Sequence, residues 1–364
     1  MSTSVTSSRG AGTAGAAAGS GTPESPGTAP TTGGRAGKAG RPRRGHDLRG
    51  LAEKNALLVL LLGVVVFFSV LPASSERFAT SENLAVILGT QATVALLALA
   101  VVLPLVSGYF DFSLGANAAA SGVLAAGLMS KEDMSLAVAC VVCLVFGSLV
   151  GLFNGVLVTR FGLNSFVTTL GVATLLGGLI QWYTGGQTIL VGISPALVDF
   201  GSINVYGVPA VVYVVLLVAL VLWYVLTHTP YGRSLYAIGA NPRAAKLVGI
   251  RTDRYVTASF VLAGAVAALV GILQLARTGS ATADSGNSLL FPALAAAFLG
   301  ATAVRPGFFN VVGTLIGVLF VSITVSGLTV ASAAAWVSPV FNGAALLAAV
   351  GLSTYLGRAR GRAS

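Results

Sequence analysis

Asp111 in "YFDFS" and Asp284 in "ATADSG" are the first residues in this chain that could do bond chemistry, each at the edge of an apolar run. An aspartyl protease dyad needs its two carboxyl groups close enough to share a proton. The hydropathy pattern puts these two at opposite faces of a membrane, about 30 Å apart, which removes the dyad. Cys140 and Cys143 form a C-V-V-C inside an apolar run, and the nearest histidine in sequence is His228. Zinc would need further ligands and a polar setting, so the pair reads as two small apolar residues on one helix face. Serine or zinc proteolysis lacks its histidine, because His46 lies in a polar tail and His228 at a helix end. A P-loop needs Gly-Lys followed by Ser or Thr. The lysines are Lys38, Lys54, Lys131 and Lys246, and none precedes either residue. No catalytic residue, metal site or cofactor is expected here.

The elements that hold these residues are read from composition. The chain is 55% hydrophobic and 9% charged, against roughly 25% charged for a soluble domain. Apolar windows predict helices near 56–72, 84–106, 113–129, 134–158, 164–184, 208–227, 255–276, 289–304, 309–330 and 334–356. The fold class expected is an all-α polytopic membrane protein with about ten transmembrane helices, multi-pass in the cell membrane and in contact with lipid. Residues 1–50 are Gly, Ala, Ser, Thr and Pro with scattered Arg and Lys, a composition that forms a disordered tail. The transmembrane domain is expected over 51–357, followed by a basic C-terminus at 358–364. "ALLVLLLGVVVFFSVL" lies too far from residue 1 for a signal peptide and reads as an uncleaved first span.

With ten spans both termini share one side. Placing them in the cytoplasm leaves only Arg77, Lys131 and Arg277 of the 21 basic residues outside, as the positive-inside rule requires. The net charge of +10 is thus topological, and nucleic-acid binding is excluded as its explanation. Gly147, Gly151 and Gly155, and Gly313 and Gly317, stand at four-residue spacing, which lets helix backbones approach closely in lipid.

One segment departs from this apolar pattern. "TPYGRSLYAIGANPRAAKLVGIRTDRY", Thr229 to Tyr255, carries Arg233, Arg243, Lys246, Arg251, Asp253 and Arg254 between two apolar runs. Asn241 followed by Pro242 predicts a capped helix start, and Gly249 a stop. Ala244, Leu247 and Val248 then share one face and Arg243 and Lys246 another, giving a small apolar knob ringed by positive charge. Such a segment either fixes topology as a cytoplasmic loop or docks into an acidic-rimmed groove on a partner.

"GRSLYAIGANPRAAKLVGI" resembles the cytoplasmic coupling loop of sugar-type ABC importer permeases, the ribose, xylose and arabinose family of membrane subunits. "SGYFDFSLGA" at 107–116, "GLFNGVLVTRFGLNSFVTTLG" at 151–171 and "LAAAFLGATAVRPGFFNVVGTLIGVL" at 294–319 resemble the same family in order, so that roughly residues 80–356 are covered. The resemblance implies a ten-helix permease that pairs with a second copy, two ATP-hydrolysing subunits and an extracytoplasmic solute-binding protein. It implies a coupling loop at about 228–254, with Gly239, Asn241, Ala244, Ala245, Gly249 and Ile250 in the part seated in the ATPase. "ATADSGNSLLFPALAAAFLG" is looser than the ribose-permease pattern, so the expected solute is a monosaccharide or related polyol without further choice. Permeases for nucleosides or branched-chain amino acids are the nearer alternative. An ion-coupled secondary transporter would place an ionisable group mid-helix, and no predicted helix has one there.

The pathway for that solute is sought among uncharged polar groups. Asp111 with Ser113 either caps the following helix near Leu114 or forms a gate. Asn154 and Asn164, with Thr168 and Thr169 a turn later, either bond between helices or line a polyol path. The long loop from Gly185 to Gly207, with Asp199 its one charge, would face the binding protein.

Overall fold

The computed structural model describes residues 45–361 apart from Ala73, with side chains over 55–351. Most of the expected tail, and residues 362–364 of the expected basic terminus, fall outside the described residues. A helix stands at each of the ten predicted positions: α1 (Gly45–Val70), α3 (Ser81–Val106), α4 (Leu114–Lys131), α5 (Leu136–Thr159), α6 (Ser165–Thr184), α8 (Ala210–His228), α11 (Thr252–Thr278), α12 (Asn287–Gly300), α13 (Val311–Val330) and α14 (Val337–Gly361). Four short helices and one hairpin complete the described chain: α2 (Ser75–Phe78), α7 (Pro195–Ser202), α9 (Pro230–Ala240), α10 (Pro242–Leu247), and β1 (Asn204–Val205) paired antiparallel with β2 (Val208–Pro209).

Six helices, α3, α5, α6, α8, α11 and α13, are long and apolar enough to cross a membrane by length and composition. The apolar stretches of α1, α12 and α14 are shorter, at Asn55–Val70, Asn287–Gly300 and Val337–Gly351. Helix α4 is diluted by Asn117, Ser121 and its glycines and lies almost wholly inside the bundle. The expected count of ten rests on those four helices. Helix α1 begins at Gly45, inside the expected tail, because Leu48, Leu51, Ala52, Glu53 and Lys54 are good helix formers that extend the apolar helix outward.

Helix α11 organises the interior. Ala263, Ala267, Val270 and Leu273 join a core with α3, α8, α12 and α13. Ile272, Leu275 and Ala276 belong to a second core with α4, α5 and α6, and Val256 and Phe260 to a third with α5, α9 and α10. By contrast, α5, α6 and α8 turn large apolar side chains such as Val141, Leu149, Phe153, Leu175, Leu217 and Leu220 outward. For a bundle in lipid that exposure costs little, since hydrocarbon solvates these groups as well as a core does.

The stripe of Gly147, Gly151 and Gly155 is the face of α5 that meets α11. A Cβ at Gly151 would fall on the Phe260 carbonyl, and one at Gly155 would lie 2.9 Å from the Thr257 Cα. Across the same seam, Asn117 of α4 donates through Nδ2 to the carbonyls of Gly147 (3.2 Å) and Gly264 (3.3 Å). Three helices are thereby joined by an amide that has no contact with solvent. Replacing Gly151 by Leu is expected to wedge α5 from α11 at a cost of about 1–3 kcal/mol. A lowered apparent Tm in detergent would show it, with Gly171→Leu, where a Cβ meets nothing within 4 Å, as the unaffected control.

Candidate functional site

The basic segment folds as two short helices. Thr229 caps α9, its hydroxyl oxygen accepting from the Gly232 amide at 3.3 Å, with Pro230 at the first helical position. Helix α9 was not anticipated from sequence, although Thr229-Pro230 repeats the signal of Asn241-Pro242 one turn-set earlier. Its inner face is fixed by Leu235 and Ile238, both without solvent contact. Tyr236 hydroxyl donates to the Phe309 carbonyl at 2.8 Å, and Tyr231 hydroxyl to the Tyr255 carbonyl at 3.3 Å. Gly239 lies so close to the end of α3 that a Cβ would meet the Val106 carbonyl.

Helix α10 has the caps the sequence predicts. Asn241 Oδ1 accepts from the Ala244 amide at 3.1 Å. At the other end the Ile250 amide donates to the Ala245 carbonyl and the Gly249 amide to the Lys246 carbonyl, both at 3.1 Å. That pair of bonds is a Schellman closure, and Gly249 occupies it at φ +86°. Ala245 is buried in the cluster with Val158, Ile238, Val256 and Phe260. Leu247 and Val248 point away from the bundle, 88% and 77% exposed. Lys246 pairs with Asp253 at 3.7 Å between two exposed side chains.

A second polar group lies in the linker 107–113 between α3 and α4. Asp111 Oδ1 accepts from the Ser113 amide at 2.9 Å and from its hydroxyl at 2.6 Å. Asn154 Nδ2, from α5, donates to Ser113 Oγ at 2.7 Å. All three residues are buried, and Asp111 Oδ2 and Asn154 Oδ1 have no hydrogen-bond partner. Asp111 thus bonds to Ser113 rather than to an amide near Leu114, and Ser113 occupies the N-cap position without a side-chain bond to the helix. The backbone of the same linker is held by α6: the Phe110 amide donates to Ser165 Oγ at 3.3 Å and the Phe112 amide to Thr169 Oγ1 at 3.0 Å.

Asp111, Ser113 and Asn154 are therefore together, whereas Asn164 and Thr168 are not with them. Asn164 is the exposed cap of α6, accepting from the Val167 amide at 3.3 Å. Thr168 is half-buried, and its neighbour Thr169 is the residue turned inward. Tyr236 and Asn117 escaped the sequence reading as site or brace residues. An Asn amid "LGANAAAS" was the signal for Asn117.

The match to known proteins is extensive. Residues 83–350 fit the family described as the permease component of the branched-chain amino acid transport system. The chain belongs to that permease family. It is 32% identical over 303 residues to the ribose import permease protein RbsC of Escherichia coli strain K12, covering 82% of this chain and 93% of that one. With the ribose import permease protein RbsC of Haemophilus influenzae it shares 30% identity over 312 residues, 85% and 95% of the two chains. With the autoinducer 2 import system permease protein LsrC of Salmonella typhi the identity is 30% over 308 residues, 85% and 87% of the chains. No solved structure matches. The permease is a multi-pass membrane protein and a transport subunit rather than an enzyme.

In the permease, burial pushes the Asp111 carboxyl up from 3.8 to about 6, against the two Ser113 hydrogen bonds that lower it. The folded state thus favours the neutral acid. That contribution is complete below about pH 3.8 and is lost as pH rises through about 6. Between these limits the wild type is expected to lose on the order of 1–3 kcal/mol of stability. Thermal unfolding in detergent across that pH range measures it, and Asp111→Asn should lack this component.

Proposed function

We propose that this permease carries a monosaccharide or related polyol inward across the cytoplasmic membrane as the membrane subunit of an ABC importer. Its partners are a second permease copy, ATPase subunits on the cytoplasmic side and an extracytoplasmic solute-binding protein. Both termini lie in the cytoplasm. The observation that carries the reading is the α10 tip, where Leu247 and Val248 stand exposed on a helix capped at both ends and rooted by Ala245. An apolar knob with Arg243 and Lys246 beside it suits a groove with acidic rims.

Asn241, Ala244, Ala245, Gly249 and Ile250 shape and anchor this helix, and Gly239 lets α9 abut α3. ATP-driven approach of the ATPases would push α10, and α9 would pass the displacement to Val106 and the linker behind it. Asp111, Ser113 and Asn154 then form the gate at the cytoplasmic end of the pathway. Asn164 caps α6 and Thr168 stands on its N-terminal end, where Ser165 and Thr169 hold the same linker. Sugar import is supported by the ribose relatives, at about the same identity as the autoinducer relatives. Import of a branched-chain amino acid is the second reading, favoured by the family description.

Gly249→Val forces a β-branched residue into a positive φ at about 1–2 kcal/mol, which misaligns the tip while the spans stay intact. Membrane insertion should be normal, and ATP-driven uptake and solute-stimulated ATP hydrolysis should both be lost. Unchanged uptake in that variant would refute the seating of α10. Uptake of radiolabelled pentoses and hexoses against leucine, in vesicles holding the whole complex, decides the solute class; sugars alone should accumulate.

A further inference from the structure

A groove distinct from both the exposed α10 tip and the Asp111 cluster lies beside them. It has a volume of about 950 Å³ and runs between α5 and α11 at the foot of α10. One half is apolar, formed by Leu152, Val156, Val261 and Leu262. The other half is basic, formed by Arg160, Lys246, Arg251 and Arg254, with Asp253 the single carboxylate. Lys246 occupies that carboxylate. Arg160, Arg251 and Arg254 remain exposed, with no ion pair among the described residues. The positive end of the α11 dipole lies at the same place, since the helix begins at Thr252.

The apolar half does not end there. A second cavity of about 320 Å³ shares Leu152 and Val261 with the first and continues along the seam past Leu149, Ser148, Val145 and Leu144. Ser148 donates its hydroxyl to the Leu144 carbonyl at 2.7 Å, so it adds no polarity to this track. Val145, Leu149 and Leu152 are exposed on membrane-spanning α5. The two cavities together have a cationic mouth at the membrane edge and an apolar channel that descends into the span.

We propose that this groove binds one anionic phospholipid, its phosphate on Arg160, Arg251 and Arg254 and an acyl chain along Leu152, Leu149 and Val261. A soluble protein partner can reach the mouth but not the channel between two spans. A free phosphate would leave the channel unused. Arginine forks suit phosphate oxygens, and each basic side chain near an anionic surface is worth about fivefold in binding. Because Lys246, Gly249 and Ile250 form one wall of the mouth, the lipid braces α10 against α5 and α11. The inference rests on the membrane reading of α5 and α11 and needs no ATPase, so its failure and that of the importer reading are separable.

The test uses the full chain purified in detergent and native mass spectrometry with phosphatidylglycerol, with phosphatidylcholine of the same acyl chains, and with inorganic phosphate as competitor. Wild type should retain phosphatidylglycerol at least tenfold better than phosphatidylcholine, and millimolar phosphate should not displace it. R160Q/R251Q/R254Q should lose about a hundredfold in phosphatidylglycerol binding. Leu152→Trp, which keeps every charge, should also weaken it by filling the channel. The remote pair R77Q/K131Q should bind as wild type, and all variants should elute as wild type on size exclusion. Equal retention of the two lipids, an unaffected triple variant, an unaffected Leu152→Trp, or loss in the remote pair would each overturn the proposal. Displacement by phosphate would make the site one for soluble anions.

Discussion

Close backbone approach of α11 to its neighbours is the constraint on which the rest of this bundle depends. Lipid offers no hydrophobic drive for helix association, so contact must come from packing and from polar groups that find partners between helices. Helix α11 meets α5 along a glycine stripe and is clasped to α4 and α5 by the Asn117 amide. Side chains of α11 belong to all three apolar cores. Displacement of this helix therefore cannot be local. Its first turn follows directly on Gly249 and Ile250, so the same rigid element that integrates the interior is joined to the exposed tip of α10.

A second connection runs through α9. Buried Leu235 and Ile238 fix the helix, Tyr236 ties it to the loop before α13, and Gly239 lets it rest on the end of α3. Beyond that end lies the 107–113 linker, whose backbone and side chains bond to α5 and α6 through Asn154, Ser165 and Thr169. Four helices thus converge on seven residues that sit behind the basic segment. The proposed gate rests on this junction, where Asp111, Ser113 and Asn154 are buried, two acceptor oxygens have no partner, and Gly239 of α9 abuts the end of α3.

A helix is present at each of the ten predicted positions, and six of them were legible from hydropathy because length and apolarity alone set them. The caps of α10 were legible because Asn-Pro and a following glycine are local signals that need no tertiary context. Helix α9 was missed even though Thr229-Pro230 carries the same signal, because its burial comes from α3 and the α12–α13 loop, which are distant in sequence. The same limit applied to the polar cluster. Sequence singled out Asp111, Ser113 and Asn154 by type, but only the fold brings residues 41 positions apart within 2.7 Å. It separates Asn164 and Thr168 from them, because a step of one residue on α6 turns Thr169, and not Thr168, inward. The basic groove was invisible in sequence, as Arg160 and Arg251 belong to segments that meet only through the α5–α11 seam.

The central claim is that the α10 tip is the seat of a separate ATPase. Its most direct test is affinity purification of the permease from native membranes in mild detergent, with bound partners identified and ATP hydrolysis assayed. A P-loop ATPase should be recovered with the wild-type chain and lost when residues 241–250 are replaced by a neutral linker. A preparation without an ATPase from cells shown to be transporting, or one whose ATPase survives the replacement, would contradict it.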